Sequence, residues 1–106
     1  MPHPRPGIPK VRSVLRAVAI LNSFTTDQQY LTLSQVAKKT DLDRNTARRI
    51  LLTLEAADFI RYDPDMAKYC LGTGIYILYP AVDYASNLRE VAAPILTRLS
   101  SKLPPG

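Results

Sequence analysis

The sequence predicts a mainly α-helical fold with one small β-hairpin, arranged as a winged helix-turn-helix that is followed by a linker helix and a further C-terminal helix. Two segments with helical periodicity, residues 34–40 and 44–57, are separated by a turn of three or four residues. Two short β-prone runs, residues 59–62 and 68–71, flank a turn that contains Pro64. Apolar residues make up 46% of the 106-residue chain, which suits one small domain with a core.

The N-terminal part is predicted to hold an arm and a first helix. Residues 1–10 contain four prolines, so we expect a flexible basic arm with no helix. The first helix is predicted from Val14 to Phe24, with Ser13 as its N-cap. Arg12 and Arg16 lie off its apolar stripe. That stripe consists of Val14, Leu15, Val18, Ala19 and Leu21.

The helix-turn-helix unit is predicted from cap residues and periodicity. The alternation from Tyr30 to Leu33 indicates one brief strand before it. Ser34 is predicted to cap the second helix, and Asp43 is predicted to cap a third helix from Arg44 to Ala57. The short connection between the two helices is typical of a helix-turn-helix.

The run from Ile75 to Val82 is apolar nearly all round, which is too long for one buried strand and too apolar for a surface helix. A linker helix from Thr73 to Tyr84, packed on its own domain and on a second copy of the chain, would bury both sides. Its tyrosines are interpreted as interface packing and not as ligand contacts. The expected dimer contacts are Ile75, Leu78, Tyr79 and Val82.

A last helix is predicted from Leu88 to Lys102, with Ser86 or Asn87 as its N-cap, because apolar residues again recur on one stripe. The resulting domain plan is an arm over residues 1–10, a winged helix-turn-helix domain over 11–72, a linker and dimerisation helix over 73–86, and the start of a further domain over 87–106.

The sequence offers no residues for metal binding or catalysis. Cys70 is the single cysteine and His3 the single histidine, so neither a disulfide nor a zinc cluster can form within the chain. Cys70 stands in an alternating run and is interpreted as a small buried filler. We therefore expect no enzyme activity, no metal and no cofactor. With no membrane-length apolar run and no signal peptide core, we also expect a cytoplasmic protein without a membrane partner.

The net charge of +5 is confined to one part of the chain. Residues 1–62 carry ten Lys and Arg against five Asp and Glu, whereas residues 63–106 carry four of each. A basic excess that coincides with the helix-turn-helix is typical of a surface that binds a polyanion.

The third helix is predicted to read bases. Its apolar residues fall within a sector of about 100°, which must face the core. The opposite side offers amide, hydroxyl and guanidinium groups in the first turns, where a second helix of this unit meets base edges. The alternative is a solvated helix face that contacts nothing. The expected base contacts are Asn45, Thr46, Arg48 and Arg49.

Phosphate contacts are expected from the flanks of that surface and from the wing. Lysine suits phosphates as a point charge, whereas the planar arginine fork also suits bases. Arg61 and Lys68 in the wing could reach phosphates or the minor groove. Arg5 and Lys10 in the arm could enter the minor groove, although simple disorder is the alternative. The expected phosphate contacts are Ser34, Lys38, Lys39, Arg44, Thr53, Arg61 and Lys68.

Several correctly spaced blocks resemble a known family. The segments SVLRAVAILNSF, LTLSQVAKKTDLDRNTARRILLTLEAADFI, YDPDMAKYCLG and LREVAAPILTRL are similar to the N-terminal portion of IclR-type bacterial transcription regulators, from about Val11 to Leu103. The most specific matches are Arg16, Ala17, Ile20, Leu21, Thr46, Arg49, Leu51, Leu54, Glu55, Leu71, Gly72, Leu88, Pro94 and Leu96.

The resemblance implies a winged helix-turn-helix joined by a linker helix to a larger C-terminal effector-binding domain, in a dimer. On this basis the chain looks like a truncated regulator, and a small-molecule effector would need the absent domain. Two residues depart from the pattern. Asp41 stands where a glycine is usual, which asks for a strained backbone, and Pro80 would kink or end the linker helix by removing a hydrogen bond to Tyr76.

These observations predict sequence-specific binding of double-stranded DNA by a dimeric transcription regulator, with the third helix in the major groove. One alternative is a winged helix that serves as a protein interaction module, since fold does not fix function. Another is a truncated regulator that forms heterodimers with full-length relatives.

Overall fold

The computed structural model describes residues 7–87, and the chain divides into two units between Ile75 and Tyr76. The first unit is a winged helix-turn-helix, as predicted, with three helices and a two-stranded antiparallel sheet. The elements are α1 (Arg12–Asn22), α2 (Leu33–Thr40), α3 (Arg44–Ala56), β1 (Ile60–Asp63), β2 (Lys68–Leu71) and α4 (Gly74–Leu78).

Helix α1 begins earlier than predicted and has apolar residues on two sides. Its N-cap is Val11, which makes no side-chain cap hydrogen bond, so the prediction of Ser13 as the cap is wrong. The apolar stripe of this helix is only partly buried, because Val14, Leu15 and Val18 remain 57%, 55% and 47% exposed. The residues of α1 that pack on the core lie in its C-terminal half and are Ala17, Ile20 and Leu21.

Helix α2 begins with a capping box centred on Thr32, and the prediction of Ser34 as its cap is wrong. The Thr32 hydroxyl accepts a hydrogen bond from the Gln35 amide at 3.2 Å, and Gln35 Oε1 accepts one from the Thr32 amide at 2.8 Å. This cap turns the chain into the helix, so the predicted strand over residues 30–33 is reduced to a single bridge. In that bridge Leu31 exchanges backbone hydrogen bonds with Tyr69.

The turn between α2 and α3 is built by two aspartates. Asp41 has φ 56° and ψ 41°, which is the left-handed conformation that the sequence predicted for this position. This residue allows the Leu42 amide to return to the carbonyl of Ala37 at 3.0 Å. Asp43 then caps α3 by accepting a hydrogen bond from the Thr46 amide at 3.1 Å, as predicted.

The core lies where α1, α2, α3 and the hairpin meet. Helix α3 contributes Ala47, Leu51 and Leu54, all buried, on the side that its periodicity predicted. The largest fully buried side chains are Ile20, Leu31, Val36, Leu51 and Ile60.

The hairpin pairs Ile60 with Leu71 and Asp63 with Lys68. Strand β2 has its predicted bounds, whereas β1 begins at Ile60 because the amide of Phe59 instead donates to the carbonyl of Leu54. The turn is stabilised by Asp63 Oδ1, which accepts hydrogen bonds from the amides of residues 65 and 66. Gly72 follows the last strand of the wing. A Cβ there would collide with the carbonyl of Asp58, so the position requires glycine.

The linker helix predicted from Thr73 to Tyr84 does not extend over that range, and the prediction that Pro80 would kink or end it is confirmed. Helix α4 ends at Leu78 and passes into a short 3₁₀ turn, Tyr79–Ala81, and Val82 is extended. The physical reason is Pro80, which has no amide hydrogen to donate to the carbonyl of Tyr76.

A new helical turn covers residues 84–87, and its cap also differs from the prediction. Asp83 Oδ1 accepts a hydrogen bond from the Ser86 amide at 3.2 Å, so Asp83 is the cap in place of Ser86 or Asn87. The predicted helix over residues 88–102 lies outside the described residues, as does most of the predicted N-terminal arm.

The strained turn generates a first prediction. Replacing Asp41 by valine should lower the stability to unfolding, because a β-branched residue disfavours the left-handed conformation that Asp41 adopts. Glycine at this position should be more stable than valine by about 1 kcal/mol. Urea unfolding followed by circular dichroism measures the difference. Asp41→Asn is the matched control, since asparagine tolerates this backbone, and equal stabilities for valine and glycine would contradict the argument.

Candidate nucleic-acid interface

The side of α3 opposite the core presents a row of polar and cationic side chains. Arg44, Asn45, Arg48 and Arg49 are exposed, and Thr46 is half-buried. The exposure follows from the burial of Ala47, Leu51 and Leu54, because a helix turns by about 100° per residue. The residues predicted from the sequence to contact bases thus lie together on the first turns of one helix.

The N-terminus of α3 is fixed by a pair of side chains. Thr46 Oγ1 donates a hydrogen bond to Asp43 Oδ1 at 2.6 Å, while Asp43 Oδ2 accepts from the Thr46 amide. These hydrogen bonds from Thr46 hold the pKa of Asp43 below its ordinary value, because they favour the charged carboxylate. The hydroxyl proton of Thr46 is therefore already used, which leaves its oxygen lone pairs and its methyl group for other contacts.

The two adjacent arginines of α3 lie over different grooves. Arg49 lines a groove between α1 and α3 with a cavity volume of about 630 Å³, together with Thr46 and Thr53. Arg48 lines a second cavity of about 420 Å³ between α3 and the hairpin, where it is near Tyr69. The candidate interface is therefore wider than the helix itself and reaches toward α1 on one flank and toward the wing on the other.

The residues predicted to contact phosphates differ in their exposure and in the hydrogen bonds that they already make. Ser34, Lys38 and Arg44 are exposed, and Lys68 is half-buried in β2. The Thr53 hydroxyl instead donates to the carbonyl of residue 49 at 2.8 Å.

Two of the cationic side chains among the predicted phosphate contacts also have partners inside the protein. Lys39 Nζ donates a hydrogen bond to the carbonyl of Ser23 at 2.8 Å, which ties α2 to the end of α1. Arg61 Nη2 donates to Cys70 Sγ at 3.4 Å across the hairpin, and this hydrogen bond raises the pKa of Arg61. Sequence reasoning interpreted Cys70 as a buried filler, and it is buried, but its contact with Arg61 was missed because strand register is needed to place the two residues opposite each other.

The residues predicted to form a dimer contact are largely exposed. Leu78, Tyr79 and Val82 are exposed, and Ile75 is half-buried. The Tyr79 hydroxyl is hydrogen-bonded to the hydroxyl of Tyr84 at 2.8 Å, with the two rings edge to face.

Residues 7–87 contain no cluster of histidine, cysteine or acidic side chains that could hold a metal ion. Within the same residues, no helix is both long enough and apolar enough to span a bilayer.

Comparison with known proteins assigns the family. Residues 13–64 match the model of the IclR helix-turn-helix domain. By this domain the chain belongs to the IclR family. The match covers α1 from its second residue, α2, α3 and β1, which hold most of the candidate interface.

Individual relatives agree with this assignment. The chain is 30% identical to the Pca operon regulatory protein of Acinetobacter baylyi over 87% of its own length and 32% of the relative. It is 30% identical to the HTH-type transcriptional regulator XynR of Escherichia coli over 90% of its length and 38% of the relative. A crystal structure of an IclR homologue from Microbacterium sp. strain HM58-2 superposes with a TM-score of 0.68 at 25% identity, covering 86% of this chain and 38% of the other.

The chain therefore spans about a third of the length of the curated relatives it matches. These relatives are transcriptional regulators with a helix-turn-helix DNA-binding domain. The effector-binding domain that the family resemblance implied stays a prediction.

The cap of α3 generates a second prediction. Because the pKa of Asp43 is lower in the folded chain than its ordinary value of 3.8, its charge stabilises the fold above that pH. This contribution is lost as the pH falls through the lower folded value. Asp43→Asn should therefore unfold more easily than wild type at pH 7, and the difference should shrink below pH 3.8.

Urea unfolding at a series of pH values measures this difference. Asp83→Asn is the matched control, because Asp83 is also an exposed cap residue with a lowered pKa but lies outside the helix-turn-helix. If the difference in free energy of unfolding between wild type and Asp43→Asn stays constant down to pH 2, the charge on Asp43 does not stabilise α3.

Proposed function

We propose that this chain binds double-stranded DNA sequence-specifically, as a dimer, and regulates transcription, with α3 in the major groove. The observation that carries the proposal is the exposure of Arg44, Asn45, Arg48 and Arg49 on one side of a helix whose other side is buried. The relatives' role as transcriptional regulators supports it.

The chemistry of these side chains suits base edges. Arginine pairs with the O6 and N7 atoms of guanine through two hydrogen bonds, and asparagine pairs with N6 and N7 of adenine. Thr46, with its hydroxyl proton held by Asp43, has its methyl group left for apolar contact with the methyl of thymine. We assign base reading to Asn45, Thr46, Arg48 and Arg49.

Phosphate binding is assigned first to Lys38, Arg44 and Ser34, which are exposed and whose side chains make no hydrogen bond within residues 7–87. Lys39, Thr53 and Arg61 remain candidates, but each would have to share or break the hydrogen bond it already makes. Lys68 would contact a phosphate from the wing. A small-molecule effector would act through a further domain.

A second candidate function is a protein interaction module. The observation that favours it is the exposure of apolar side chains in the second unit, where Tyr76 and Ile77 are 78% and 76% exposed. In this interpretation the same surface could also pair the chain with a full-length relative. Charge reversal at Arg48 and Arg49 separates the two functions, because it should abolish DNA retention and leave partner binding intact.

Base reading by α3 generates a third prediction. Arg49→Ala should cost about 1 to 3 kcal/mol of binding free energy and should relax preference at one base position. Lys38→Ala, the matched control, should weaken binding to all sequences alike and reduce the salt dependence, because Lys38 is assigned to a phosphate. Selection of bound sequences from random DNA, followed by titration at two salt concentrations, measures both effects. An unchanged sequence preference in Arg49→Ala, or binding that ignores salt, would reject the proposal.

The dimer generates a fourth prediction. Leu78→Asp should dissociate the proposed dimer, because an unpaired carboxylate is costly to bury in an apolar contact. Val14→Asp is the matched control, since Val14 is equally exposed at 57% against 54% for Leu78 but lies on α1. Sedimentation velocity measures the change. If the α1 variant dissociates the dimer and the Leu78 variant does not, the dimer forms through the exposed stripe of α1.

A further inference from the structure

The groove between α1 and α3 contains a second arginine. Arg16 lies on α1, is half-buried, and lines the same groove as Arg49, Thr46 and Thr53 of the candidate interface. Sequence reasoning left Arg16 out of the interface, because nothing in the sequence shows that its turn of α1 lies beside the first turns of α3. The two guanidinium groups belong to opposite walls of one groove.

Among residues 7–87, the lining of this groove carries positive charge only. It includes two arginines and no aspartate or glutamate of that range. In the part of the chain that the structure describes, Arg16 also makes no side-chain hydrogen bond, whereas Lys39 and Arg61 each have a partner. A guanidinium group that lines such a groove without a described acidic partner is free to bind an anion that approaches from outside.

We propose that Arg16 binds a backbone phosphate of the DNA that α3 reads, so that the interface extends from α3 onto α1. This inference rests on the proposed function. A phosphate suits the site better than a base does, because Arg16 is on the supporting helix and its stem is partly held in the groove. The guanidinium fork can bind two phosphate oxygens at once, which lysine cannot do.

The position of Arg16 also complements that of the other phosphate contacts. Lys38 and Arg44 lie on α2 and at the start of α3, whereas Arg16 is on α1, across the groove from Arg49. Contacts on both flanks of a recognition helix fix its register on the duplex, which is the role of phosphate contacts in general.

The test compares Arg16→Ala with Arg12→Ala in the full 106-residue chain. Arg12 is the matched control, because it has the same charge on the same helix, is exposed, and does not line the groove. Binding to a selected duplex and to an unrelated duplex is measured by fluorescence anisotropy over a salt series. The slope of log K against log salt should fall in magnitude by about 1 for Arg16→Ala on both duplexes. It should be unchanged for Arg12→Ala.

Two further variants separate phosphate binding from packing. Arg16→Met keeps most of the aliphatic stem and should show the same decrease in slope as Arg16→Ala. Arg16→Lys keeps the charge and should keep the wild-type slope. The inference is overturned if the Arg16 and Arg12 variants give equal slopes. It is also overturned if affinity falls only in those variants whose melting temperature is lower. In either case Arg49→Ala still tests base reading by itself. If the wild-type chain binds no DNA, both the inference and the proposed function are overturned.

Discussion

The burial of one narrow side of α3 is the constraint on which the rest of the structure depends. Ala47, Leu51 and Leu54 pack against α1, α2 and β1, and no other rotation of the helix would bury them. Because side chains are spaced by about 100°, this packing alone directs Asn45 and Arg49 to the surface. The polar surface is thus a consequence of the core, so a core substitution that rotated α3 would also move the surface that is proposed to read bases.

The turn that precedes α3 fixes the residue at which the helix begins. Asp41 accepts a left-handed backbone, and two residues later Asp43 supplies the cap, so only three residues separate α2 from α3. Neither task needs a glycine, because aspartate is among the residues that tolerate positive φ and is also a preferred cap. The first turn of α3, which holds Asn45 and Thr46, is therefore positioned by backbone and side-chain hydrogen bonds as well as by packing.

The sequence predicted the structure correctly where a single local pattern, such as one helical periodicity or one cap residue, determines it. The cap at Asp43, the buried side of α3 and the bounds of β2 follow from local patterns of this kind. It failed where two neighbouring residues compete for one role, as Thr32 and Ser34 do for the cap of α2. A second group of errors has tertiary causes.

Helix α1 shows such a cause, because it has apolar residues on two sides and only packing decides which side is buried. The contacts of Lys39 with Ser23 and of Arg61 with Cys70 join residues on different elements, so no local pattern reveals them. The candidate site was predictable on α3 itself and was not predictable across the groove, where Arg16 lies.

The divergence of Arg48 and Arg49 limits how the proposed interface can read DNA. The two residues are adjacent in sequence, yet Arg48 lies toward the hairpin and Arg49 lies toward α1. Two guanidinium groups separated by about 100° around a helix cannot both pair with the same base. With α3 in the major groove they would contact separate base pairs, and Asn45 would lie between them. The spacing of the specified bases is then set by the helix, and not by the reach of any one side chain.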